Sequence, residues 1–357
     1  MQSHVGAANA RFCPYPQAPG AAILRCSDID EGCAVPGRII CGIDDSRGGR
    51  EALLAAVTLS ERLAMRLIVV NVGSIDPDRP LRDTRELERL REVAAQQAER
   101  VLDVVAGSGD RAPDAERRVE VGWPALRLAA VATEEHADFI VVGTRGRGRL
   151  SSAMLGSVSR ELLSHAPCPV LVVPPGAGAM QTHRPAWPAR RSIVCGVDGS
   201  EDSRRATRQA ARLARALNGR LVLAHAYRAR LIARSAGTAR SDARAQLDAA
   251  GAALPPTAEA ELRLERGEAA EQLRRVAMDE HAELLVVGSR ARGSVPTLLS
   301  GSVASDLATS APVPVLIVAD GGWEEITPDD QPLQRGLTAT PAPREEGREL
   351  TGHASRL

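Results

Sequence analysis

Two glycine-rich runs, each with hydroxyl residues close behind it, are where residue types and spacing could do chemistry. In the first, Val142-Gly143-Thr144-Arg145-Gly146 leads to Gly156-Ser157-Val158-Ser159, a Gly-x2-Gly-x9-Gly-Ser spacing. Glycine can turn the chain through positive φ and lets backbone approach a ligand closely. Free N–H groups and the dipole at a helix start attract anions, and the hydroxyls of Ser157 and Ser159 can donate as well. Together these make a phosphate cradle of backbone amides and serines, with Arg145 either adding charge or standing in solvent. The second run, from Gly288 to Gly301-Ser302-Val303, departs from the first at two places: Ala291 replaces Gly146 and Ala304 replaces Ser159. Alanine where positive φ is needed costs roughly 1 kcal/mol and adds a methyl group in the phosphate path. A lost hydroxyl bond to a charged phosphate removes roughly 1.5–3 kcal/mol. If the two add, affinity falls by about two to three decades. One competent site and one weak or empty site are expected.

Composition narrows the chemistry further. The chain of 357 residues has 45 basic and 45 acidic side chains, and every basic one is arginine. Without lysine there is no Walker A loop, and no Schiff-base lysine or Ser-Lys dyad. The balanced charge argues against a dedicated nucleic-acid binder. Cys13, Cys26 and Cys33 fit no common zinc spacing. Cys41 and Cys195 sit in apolar runs and read as packing residues, and Cys168 reads as the start of a strand. No signal peptide or membrane-length apolar run is visible, so a cytoplasmic location is expected.

The elements that must position these runs occur twice. Ile39-Ile40-Cys41-Gly42-Ile43-Asp44-Asp45-Ser46 is repeated, 154 residues later, by Ile193-Val194-Cys195-Gly196-Val197-Asp198-Gly199-Ser200. The offset falls to 145 by Glu135–Gly143, which matches Glu280–Gly288, and by Pro169–Val173, which matches Pro314–Val318. In the first half, continuous apolar runs at about 38–43, 67–72, 117–121, 138–142 and 169–173 alternate with helical patterns near 48–65, 84–106, 124–136 and 157–165. Runs buried on both faces and separated by helices mean a parallel sheet covered by helices. The fold class is α/β, with two tandem open five-stranded parallel-sheet, Rossmann-like domains at 36–175 and 191–319. Residues 1–35 and 320–357 read as flexible tails and 176–190 as a linker. In such sheets ligands bind outside the carboxyl ends of the strands, which is where both glycine runs fall. Arg204, Arg205, Arg208, Arg212 and Arg215 stud one helix of the second half and read as a solvated face.

The Gly-x2-Gly-x9-Gly-Ser spacing after the fourth strand of a duplicated five-strand unit resembles the ATP-binding universal stress proteins, with their adenine-nucleotide α-hydrolase-like fold. The likeness covers about 38–173 and 191–318, and the run from His165 to Val173 is similar to the family's closing strand. The resemblance implies ATP bound with a divalent cation, Mg or Mn, across the ends of strands one, two and four. It places Asp44, flanked by Gly42 and Ile43, at the adenine, and Val72 in the base pocket. Val142, Gly143, Arg145 and Gly146 would follow the ribose and phosphates, and Gly156, Ser157, Val158 and Ser159 the phosphate tail. Arg145 stands where many members have histidine. In the second half Asp198, Ala226, Gly288, Gly301, Ser302 and Val303 are the weaker counterparts. Read from the residues alone, the alternative role for Asp44 is that of a turn or helix-capping residue.

The resemblance further implies a regulator of stress or dormancy whose ATP occupancy changes its conformation or protein partners. It also implies pairing of closing strands, here 169–173 with 314–318 within one chain, and leaves a homodimer open. No catalytic constellation stands out. His136 and His281 share a helix-end position, His165 resembles them, and His225 is matched by Asn71. Asp44 and Asp45 could touch a cation, but Asp45 becomes Gly199. Any ATP hydrolysis is expected to be slow and incidental. The alternatives are an ATP-cleaving enzyme of the α-hydrolase-like class and a nucleotide-free scaffold. The first needs a Ser-Gly-Gly-x-Asp-Ser loop, which Asp44–Gly49 and Asp198–Ser203 do not match; the second is disfavoured by the intact first run.

Overall fold

A computed structural model describes residues 37–75, 83–107, 115–144, 155–177, 191–228, 236–289 and 302–319. The expected tails and linker lie outside these residues apart from their margins. The first half runs β1 (Arg38–Ile43), α1 (Arg47–Leu63), β2 (Arg66–Ser74), α2 (Thr84–Gly107), β3 (Ala115–Gly122), α3 (Pro124–Glu134), β4 (Phe139–Gly143), α4 (Ser157–His165) and β5 (Val170–Val173). The second repeats it as β6 (Ser192–Gly196), α5 (Glu201–Ala216), β7 (Arg220–Tyr227), α6 (Ala236–Ala252), β8 (Ala260–Arg266), α7 (Ala269–Asp279), β9 (Ala282–Gly288), α8 (Ser302–Ser310) and β10 (Val315–Val318).

Each half is a parallel sheet with β1 and β4, or β6 and β9, side by side at the point where strand order reverses. The two sheets join edge to edge into ten strands, ordered β3-β2-β1-β4-β5-β10-β9-β6-β7-β8. Among the described residues the one antiparallel step is at the centre, where Val172, Leu171 and Val170 pair with Val315, Leu316 and Ile317. Because every other step is parallel, the carboxyl ends of the two halves face opposite edges of the sheet. The two carboxyl-end crevices therefore open in opposite directions.

Sequence accounts for these elements directly. Ser46 caps α1, its Oγ accepting from the Gly49 N–H at 3.1 Å, and Ser200 does the same for α5 with Ser203. Both helices are closed by a left-handed residue, Ala64 after α1 and Asn218 after α5. The central strands are continuous apolar runs because both faces are covered: Ile40 stands in register between Ile68 and Ile140, and none of the three is exposed. Burying each such side chain is worth roughly 1.5–3 kcal/mol. With aromatics at 2% of the chain, small residues such as Ala52, Ala56, Ala206 and Ala210 seat the helices closely on the sheet.

Candidate functional site

Asp44 follows the last residue of β1, and its half-buried carboxylate organises the turn into α1. Oδ1 accepts from the Ser46 N–H at 3.2 Å and from the Ser46 hydroxyl. This is the turn-bracing role that residue type alone allowed; Asp44 also lines the crevice, where ligand contact stays compatible with it. Beneath it, Asn71 Nδ2 donates to the Ile43 carbonyl at 3.1 Å, fixing the end of β1. His225 holds the matching carbonyl of Val197 through Nδ1, so this histidine is a brace rather than a base. His136 and His281 both have φ of 49° and terminate α3 and α7 as left-handed turn residues.

Gly143, the first glycine of the run, is required for a reason other than positive φ. Gly143 is outside the left-handed region, but a Cβ there would lie 2.5 Å from the Gly48 carbonyl oxygen, so the start of α1 can rest on the end of β4. Gly288 repeats this against Asp202, at 2.8 Å. Gly156 has φ of −62° and donates its N–H to the Thr144 carbonyl at 2.8 Å. It precedes α4 without offering a capping side chain, so the first N–H groups of that helix, from Ser157 onward, are open to an anion. Ser159 differs from expectation: it is buried, and its hydroxyl donates to the Gly143 carbonyl at 2.7 Å. It ties α4 to β4 instead of offering its proton to a ligand. Arg145 and Gly146 lie outside the described residues, as do Ala291, Gly301 and the Ser302 side chain.

The structure brings Gly42, Ile43, Asp44, Val72, Val142, Gly143, Gly156, Ser157, Val158 and Ser159 around one cleft of about 410 Å³. Sequence reasoning missed its outer wall. Leu90, Val93, Ala94 and Gln97 come from α2, with Gly73, Ser74 and Pro124 beside them. The i, i+3, i+4, i+7 spacing on α2 was a signal, but it reads as core; exposure of Val93 at 48% shows where the apolar stripe runs past the core into the cleft. In the second half Asp198, Ala226, Gly288 and Val303 also converge, yet the cavity is only about 80 Å³. There the Ser203 hydroxyl, standing where the first half has Gly49, accepts from the Asp198 N–H at 3.1 Å. Asp202, in place of Gly48, buries a carboxylate that accepts from Ser289 Oγ at 2.7 Å.

Among the described residues no three His, Cys, Asp or Glu side chains converge as a metal cage. The thiols of Cys41 and Cys195 are pushed up by burial, that of Cys195 to about 12, so neither is a nucleophile. No described helix is long and apolar enough to cross a membrane.

Two tandem parallel units with crevices at their switch points define a duplicated, doubly wound α/β protein. The universal stress protein family profile matches residues 37–174 and 189–319. The chain belongs to that family. It is 30% identical over 298 residues to a universal stress protein of Mycobacterium tuberculosis, covering 79% of this chain and 96% of that protein. A solved universal stress protein from Archaeoglobus fulgidus shares the fold at 19% identity and a TM-score of 0.55, covering 79% of this chain and 98% of its own. A universal stress protein solved in complex with cAMP is 32% identical over 36% of this chain, 97% of its own, with a TM-score of 0.30.

Proposed function

We propose that the first half binds one adenine nucleotide, ATP with a divalent cation, and that the second half binds it weakly or not at all. The observation that carries this is the contrast between the clefts, about 410 Å³ against about 80 Å³ at equivalent strand ends. The larger one offers an apolar wall from α2 for a base and the uncapped start of α4 for phosphate. Its residues fit a cation held mainly by the nucleotide's own phosphates and water, because Asp44 Oδ1 is engaged with Ser46 and no protein cage stands beside it among the described residues. Occupancy of this cleft would act as the signal of a stress or dormancy regulator, read by a partner protein, with no dedicated catalysis. The domains are taken as 36–175 and 191–319.

Native mass spectrometry of the purified protein tests the reading. One ATP per chain, lost on Gly146→Asp, is the expected result. Two equivalent sites contradict the asymmetry, stoichiometric AMP and pyrophosphate favour an ATP-cleaving enzyme, and no nucleotide under any condition favours a scaffold.

A further inference from the structure

The wall that α2 adds to the larger cleft has no counterpart beside the smaller one. A Cβ at Gly73 would lie 3.0 Å from the Leu90 carbonyl oxygen, so α2 crosses the end of β2 closely. Leu90, Val93, Ala94 and Gln97 line the cleft from there. In the second half Tyr227 stands at the place of Gly73, 154 residues on. Among the described residues, none of α6 lines the smaller cavity.

Gln97 is the polar member of that wall, and it is 6% exposed. Packing does not ask for an amide there. The chain 145 residues on repeats the core face of α2, with Ala98 and Leu102 matched by Ala243 and Leu247, all four buried. At the place of Gln97 it carries Asp242, which is exposed. A buried amide costs free energy unless its polar atoms find partners, and leucine would fill the same wall without that cost. The amide offers two N–H donors and a carbonyl with two lone pairs, more than a single partner can use. Adenine presents the complement, an exocyclic amino donor beside a ring-nitrogen acceptor, which a glutamine amide can bind through two hydrogen bonds. We propose that Gln97 selects the base of the bound nucleotide, its carbonyl accepting from the adenine amino group and its N–H donating to the neighbouring ring nitrogen. This makes Gln97 a specificity-determining residue, and it rests on the nucleotide reading above.

Isothermal titration with ATP and with purine riboside triphosphate, which lacks only the exocyclic amino group, tests it. The natural protein should prefer ATP by about three- to tenfold. In Gln97→Leu, which keeps a bulky, helix-favouring side chain in the wall, that preference should vanish. Gln97→Glu keeps an acceptor and should retain it. A residue that only shapes the wall would change both affinities alike. An unchanged ratio in Gln97→Leu therefore overturns the inference while the nucleotide reading stands. Failure of the natural protein to bind either nucleotide would remove that reading, and the inference with it.

Discussion

Arg62, in the last turn of α1, donates through its guanidinium to both carboxylate oxygens of Glu283 at the start of β9, with Nη2 to Oε1 at 3.3 Å. One half of the chain thus neutralises a carboxylate buried in the other, whose side chain is 4% exposed. The same guanidinium also reaches the Leu217 carbonyl at the end of α5, and Arg191 approaches Glu283 from the second side at 3.3 Å. Removing one partner of a buried pair leaves an uncompensated charge, but Arg191 remains to share it. Arg62→Ala should therefore cost about 1–3 kcal/mol. The loss should appear in urea unfolding and as faster amide exchange in β9, although the substitution lies in the first half. A change under about 0.5 kcal/mol would mean that the halves are held by β5–β10 pairing and apolar packing alone.

Gly143 and Gly156 should respond oppositely to the same methyl group. Gly143→Ala places Cβ against the Gly48 backbone at 2.5 Å, so α1 must lift from β4. The strain is of the overpacking kind, about 1–3 kcal/mol, and it opens the floor of the cleft, so nucleotide affinity should fall with stability. Gly156→Ala meets an ordinary φ of −62° and should leave the thermal midpoint nearly unchanged. Calorimetry of both variants with and without ATP checks the pair; equal destabilisation would contradict the packing account.

These two glycines also show how far the sequence could be read. Duplication, the alternation of buried strands with helices and the place of the glycine runs at strand ends were legible because they follow from periodicity and from where parallel sheets place their loops, whereas the positions of Asp44 and Val72 were implied by the family resemblance. The reason for Gly143 was not legible, because it depends on a contact with Gly48, ninety-five positions away in the chain. The α2 wall was hidden for a related reason. A Leu90–Val93–Ala94–Gln97 stripe has the same spacing whether it meets a core or a cleft. Nor could pattern alone show that the two sheets join into one, or that the Ser203 side chain lines the second crevice.

Ser159 and Ala304 offer a direct test of that asymmetry. Ser159→Ala removes the bond to the part-buried Gly143 carbonyl, a loss of about 0.5–1.5 kcal/mol. Because the hydroxyl acts by tying α4 to β4, ATP affinity should fall less than the roughly tenfold that about 1.4 kcal/mol of lost direct contact would give. Ala304→Ser in the second half should regain stability without creating a nucleotide site, since Ser203 still lines a cavity of only about 80 Å³. Isothermal titration separates the outcomes: a new ATP site on Ala304→Ser alone would make the hydroxyl, and not cleft volume, the deciding difference.

Acid sensitivity should centre on Glu120 at the sheet edge. Burial works against its charged form, but hydrogen bonds from Arg127 and Arg118 outweigh this and hold the carboxyl below its ordinary range. A depressed folded-state value means that its stabilising contribution is present above the unfolded value, about 4.3, and is lost as pH falls through the lower folded one. The protein should therefore lose stability below about pH 4.5, with Glu120 protonation as one identifiable contributor. Glu120→Gln should lower the thermal midpoint at pH 7 and flatten its decline between about pH 4.5 and pH 3, because the neutral amide has no proton to gain. Parallel curves for the two proteins through that interval would show that Glu120 titrates alike in the folded and unfolded chains, and the two arginines would then serve only to order the edge strand.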